Sequence, residues 1–197
     1  GVEKPIKLES LKPQVADTRL EEIQPVHEQE SILEVVQKIV TTSGKTLPVA
    51  DERERLMGII SITDLVPALT SSRQNHLKEL EIPISNLLSV LELSMLQGKL
   101  EDDVFRGSVY IFSDLTYYRR IAKNGLIICN QHEFGTGFIF SLEPEYIIVA
   151  DVEDNSGLKP IPNYKGVIFT SRKNIYDLVQ AVNLALPVSN LVKKENL

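Results

Sequence analysis

The sequence predicts an α/β chain (α+β overall): a β-α-β-β-α unit over residues 10–70, a connecting helical segment over 71–97, and a three-layer α/β domain over 98–192. Three observations carry this. Apolar residues at 32, 35, 36, 39 and 40 follow the spacing of an amphipathic helix. Within Thr46–Val66, two β-rich apolar runs flank five polar residues and lead into a Ser-x-x-Asp step. From Gly98 onward, short apolar runs alternate with helical stretches, the pattern of a partly parallel sheet.

Residues 1–22 are polar, and Pro5 and Pro13 discourage an early helix. Gln24–His27 reads as a short strand or turn. The helix through Ile32–Val40 follows, ended by Gly44 in the C-cap role. Strands at 46–50 and 56–60 come next, joined by the charged turn Asp51–Arg55, and then a helix at 62–69 that holds Pro67. Pro83 precedes a leucine-rich helical pattern, Ile84–Leu96. Beyond it we expect a hairpin around Arg106–Gly107, a helix over Asp114–Lys123 and a strand over Leu126–Cys129. A glycine-containing turn over 130–137 then leads to strands at Ile147–Ala150 and Gly166–Thr170, and a final helix runs from Lys173 to about Ala185.

The chemistry concentrates at Ser61 and Asp64. A helix that starts straight off a buried strand presents free N–H groups and a positive dipole end, which suits a phosphate. Ser61 is placed either to bond that phosphate or to cap the helix, and Asp64, one turn in, to accept from ribose hydroxyls. The residues Leu47-Pro48-Val49-Ala50-Asp51 and Gly58-Ile59-Ile60-Ser61-Ile62-Thr63-Asp64 resemble the second half of a cystathionine β-synthase (CBS) domain. The resemblance implies an adenine nucleotide (AMP, ADP or ATP) as a regulatory ligand, with no cofactor required. Backbone groups near Thr46 and Pro48 then read the adenine between apolar walls from Ile23 and Ile60. Asp64 takes the ribose, Ser61 and Thr63 face the phosphate, and Lys45, Arg53 or Arg55 add charge. Paired CBS domains are the family's rule, so a single copy implies a homodimer.

The second half resembles a DRTGG domain through Leu96-Gln97-Gly98, through Glu143-Pro144-Glu145-Tyr146-Ile147-Ile148-Val149-Ala150-Asp151, and through Ala185–Val192. Ala150 and Val152 stand where the family has glycine and arginine, and its threonine-glycine-glycine motif is absent. The order of the two domains is similar to the regulatory region of certain manganese-dependent family II inorganic pyrophosphatases. That implies control of a fused or partner phosphatase catalytic domain. Starting at Gly1 without methionine, and ending in Pro187–Leu197 like the start of a second CBS domain, the chain reads as a regulatory fragment.

Composition and motifs argue against other classes. A net charge of −6 without a basic stripe speaks against a nucleic-acid surface. No apolar run reaches the length of a membrane span, and the N-terminus lacks a signal-peptide core. Cys129, the single cysteine, reads as a buried thiol in a cytoplasmic protein. His27, His76 and His132 lie too far apart in sequence for a zinc-type spacing, and no nucleophile elbow or Walker loop occurs, so no catalysis and no metal are expected. The acid pairs Asp102-Asp103 and Glu153-Asp154 read as solvated turns, and Tyr117–Arg120 as one edge of an amphipathic helix. Two readings stay open: a nucleotide-sensing regulatory module, and a structural dimerisation module whose ligand site has decayed.

Overall fold

The computed structural model describes residues 23–42, 45–70, 79–112 and 124–192. The expected arm at 1–22, the Gly44 cap, His76, the helix over Asp114–Lys123 with its Tyr117–Arg120 cluster, and the tail 193–197 lie outside them.

The first unit forms as its apolar periodicity dictates. Strand β1 (Val26–His27) precedes helix α1 (Ile32–Thr41), which is fixed by a capping box. The Ser31 hydroxyl accepts from the Glu34 N–H at 3.2 Å, and the Glu34 carboxylate accepts from the Ser31 N–H at 2.9 Å. Helix α1 ends at Thr42 in extended geometry. Strands β2 (Thr46–Ala50) and β3 (Leu56–Ser61) pair antiparallel, and β1 adds in parallel at Val49 and Ala50. Helix α2 (Ile62–Thr70) then packs back on the sheet and tolerates Pro67 within it. Val26, Ile32, Val35, Ile39, Leu47, Val49, Ile60 and Leu65 make one core. Each such side chain contributes about 1.5–3 kcal/mol on burial.

The second unit is built on a five-stranded sheet of order β5-β10-β9-β8-β7. Strands β7 (Val109–Ile111), β8 (Leu126–Cys129), β9 (Tyr146–Val149) and β10 (Val167–Thr170) run parallel. Strand β5 (Ser94–Gln97) closes one edge antiparallel to β10. The runs LIIC, YIIV and VIFT are buried at every position, because both sheet faces are covered. Leu126, Ile128, Ile148 and Phe169 face α3 (Ile84–Val90) and α5 (Ile175–Ala185). Ile127, Cys129, Ile147, Val149 and Ile168 face Phe134 and Ile139 on the other side. The three-layer expectation holds.

Three local expectations do not. Within Ile84–Leu96 the helix stops at Val90; Glu92 takes a left-handed φ of 53°, and Ser94–Gln97 becomes a strand on β10. No hairpin forms at Arg106–Gly107. Instead β6 (Val104–Gly107) pairs with β4 (Leu80–Pro83), and β7 leaves it to join the large sheet. Gly107 is required at that parting, since a Cβ there would sit 2.0 Å from the Asn124 carbonyl oxygen. The turn at 130–137 is in part a short helix, α4 (Gln131–Gly135), capped by Asn130 through its bond from the Glu133 N–H at 2.8 Å.

The chain's far end returns to the first unit. Ile32 N–H donates to Leu186 O at 2.9 Å and Val188 N–H to Glu30 O at 2.8 Å, and Val188 is buried in the first unit's core.

Candidate functional site

The antiparallel register decides which side chains of β2 and β3 share a face. Thr46 lies opposite Ser61, Leu47 opposite Ile60, Pro48 opposite Ile59 and Val49 opposite Gly58. Because side chains alternate, Leu47, Val49 and Ile60 point into the core, while Thr46, Pro48, Ile59 and Ser61 share the outer face. Ile60 is fully buried and cannot wall an external ligand; its neighbour Ile59, 60% exposed, stands on the outer face. A one-residue difference in a strand turns the side chain to the opposite face.

Strand β1 pairs with β2 only at Val49 and Ala50, so the stretch Thr46–Pro48 has no strand on that side among the described residues. This suits Pro48, which has no N–H to give a ladder. Because β1 runs parallel to β2, the residues before Val26 lead back toward the Thr46 end, where Ile23 is 41% exposed. Ser61 ends β3 at that same end. Ile23, Thr46, Pro48, Ser61 and the start of α2 are thus gathered at one margin of the sheet, with Lys45 exposed beside Thr46.

At that margin the Asp64 carboxylate is already engaged. Its Oδ2 accepts from the Ser61 N–H at 2.9 Å and from the Ser61 hydroxyl at 2.6 Å. The Ser61 hydroxyl also lies 2.7 Å from the hydroxyl of Thr63, which is exposed. The grouping is a helix-start cap, and it also displays two hydroxyls and a carboxylate next to the positive end of α2.

The charged turn plays a different part. Asp51 accepts from the Arg53 and Arg55 N–H groups, each at 2.9 Å, and its second oxygen takes the Arg55 Nε at 2.7 Å. Arg55 is therefore committed to the turn. The hydrogen bond from its side chain holds Asp51 down at about 2.

Cys129 is buried, and that burial pushes its thiol up to about 12. Among the described residues no cluster of histidine, cysteine or carboxylate side chains has metal-holding geometry. No described helix is long and apolar enough to cross a membrane.

Comparison with known proteins bears on this arrangement. Residues 16–71 match the family model of the CBS domain. The fold is similar to the crystal structure of the CBS and DRTGG domains of the regulatory region of Clostridium perfringens pyrophosphatase complexed with activator, diadenosine tetraphosphate. The TM-score is 0.73 at 19% identity, over 93% of this chain and 82% of that one. No curated protein matches the chain.

Proposed function

The chain carries a CBS domain and folds as a CBS–DRTGG pair, and we propose that it is a regulatory module that binds an adenine nucleotide at the Ser61–Asp64 margin and controls an attached or partner phosphatase. The observation that carries this reading is the gathering of Asp64, Ser61 and Thr63 beside the stretch Thr46–Pro48, which has no strand on its β1 side among the described residues. A flat base lies against Pro48 and Ile59, with backbone groups near Thr46 reading its edge and Ile23 covering it. Asp64 accepts from the ribose hydroxyls. As it does so, it releases the Ser61 hydroxyl to turn with Thr63 toward the phosphate, while Lys45 supplies charge. Ile60 acts from beneath, by setting the register of β3. The neighbouring structure's nucleotide activator supports the ligand class.

One CBS unit per chain offers one such margin, so the reading includes a homodimer that brings two margins together. Val40, Leu56, Ile59, Val66 and Leu69 are exposed apolar side chains on this unit that a partner copy could cover. The setting proposed is the cytoplasm, where Cys129 stays reduced.

Calorimetric titration of AMP, ADP and ATP into the full chain tests the proposal. Saturable heat from at least one is expected, and none at millimolar nucleotide would sink it. A second reading rests on the same hydrogen bonds: Asp64 and Ser61 already satisfy one another, as a plain cap would. The chain is then a structural dimerisation module, self-associating but indifferent to nucleotide.

A further inference from the structure

A second concave site lies at the carboxyl ends of β9 and β10. Ligands of open α/β sheets bind outside the carboxyl ends of their strands. The cleft has a volume of about 420 Å³ and is lined by Glu92 and Ser94 on one wall, Glu153, Asp154 and Asn155 on the other, and the exposed Arg172.

Its frame is tightly tied. Thr170 and Ser171 form the floor, each 2% exposed, and their hydroxyls donate to Ser94 O at 3.4 Å and Leu91 O at 2.8 Å. Lys173 pairs with Glu92 at 2.7 Å, which neutralises that wall. On the other wall the Asp151 N–H donates to Lys173 O at 3.1 Å and the Val152 N–H to Ser171 O at 2.9 Å. Both walls turn on a left-handed non-glycine residue, Glu92 at φ 53° and Asp151 at φ 57°. Backbone of this kind persists only where surroundings over-determine it, and it gathers at ligand sites.

Besides Asp154, which also lines the cleft and has an interaction of its own, two opposite charges are left over within this frame. Glu153 and Arg172 line the same cleft, yet neither forms an ion pair with the other or with any described residue. A cleft with a tied floor and an unpaired carboxylate and guanidinium in its lining matches a molecule carrying both complementary charges. We propose that the cleft bounded by Glu92–Ser94, Glu153–Asn155 and Arg172 is a second ligand site, which takes a small zwitterion of the α-amino-acid class. Arg172 receives its carboxylate in the two-pronged geometry that guanidinium favours, and Glu153 receives its ammonium group. The site is independent of the nucleotide margin.

The test uses the full chain and the twenty protein amino acids, each titrated separately and followed by amide chemical shifts. The expected result is saturable binding of at least one. Arg172→Gln and Glu153→Gln, both exposed positions, each weaken that binding tenfold or more, and Asp64→Ala leaves it unchanged. No saturable binding by any of the twenty overturns the proposal. Binding that persists undiminished in both cleft variants overturns it as well.

Discussion

At the scale of single residues, the clearest electrostatic feature is Asp51, held at about 2 against an ordinary 3.8 chiefly by the Arg55 side-chain hydrogen bond. A carboxylate with a depressed folded pKa supports the folded turn above its unfolded value, and that support is lost as pH falls. The β2–β3 turn is therefore expected to loosen between about pH 4 and 2. A side-chain carbon titration would show the Asp51 midpoint near the low end of that window, and Arg55→Gln would move it up toward the ordinary value. Cys129 gives a complementary expectation. Fully buried and with its thiol at about 12, it should resist thiol reagents in the native chain at pH 8 and react at the rate of unfolding; fast labelling of the native chain would contradict its placement. Thr46, Pro48, Ser61 and Asp64, which the sequence singles out, lie together at one sheet margin; a helix-start step and a strand-breaking proline leave local marks. The sequence alone takes Ile60 for Ile59 because facing is a property of register. Register depends on where the partner strand's Leu47 and Val49 fall, and no single run records that.

At the scale of elements, what was legible followed local periodicity, and what was missed depended on distant partners. Helix α1, the β2–β3 pair and helix α5 announce themselves by spacing and caps. The apolar run from Ile84 to Leu96 does not discriminate between helix and strand. Its second half becomes a strand because β10, some seventy residues on, offers an open edge. Strand β6 likewise pairs backward with β4 instead of folding into a hairpin. Helix α3 carries the most consequential side chain at this scale. The Asn86 amide is 7% exposed and donates to Gln29 O at 3.0 Å and Ala185 O at 3.2 Å, joining the turn before α1 to the end of α5. Replacing Asn86 with leucine leaves both carbonyls without that donor and is expected to cost about 1–3 kcal/mol in chemical denaturation. A cost within a few tenths of that of an exposed substitution would show that the two units are not latched there.

At the scale of the whole molecule, the core of the CBS unit is closed by the residues that follow α5. Its core includes Val188, with Leu184, Leu186, Leu191 and Val192 packed against it, and its first helix is bonded to the chain at 186–189. A fragment of residues 16–71 alone is accordingly expected to lack cooperative thermal unfolding, whereas the full chain unfolds cooperatively; a cooperatively folded fragment would refute this closure. Helix α5 meets both α1 and α2, so it joins the proposed nucleotide margin to the second unit's sheet. A ligand shifts such a coupled structure only by binding one arrangement better than another, and Asp64 is the residue through which the proposed nucleotide does so. Calorimetric titration of one adenine nucleotide into the native chain and into Asp64→Ala, with thermal unfolding of both as the control for folding, tests this directly. Saturable binding to the native chain is expected, weakened by about 1.5–3 kcal/mol (roughly 10- to 150-fold) in a variant that still unfolds cooperatively. Equal affinity in the two proteins would contradict it.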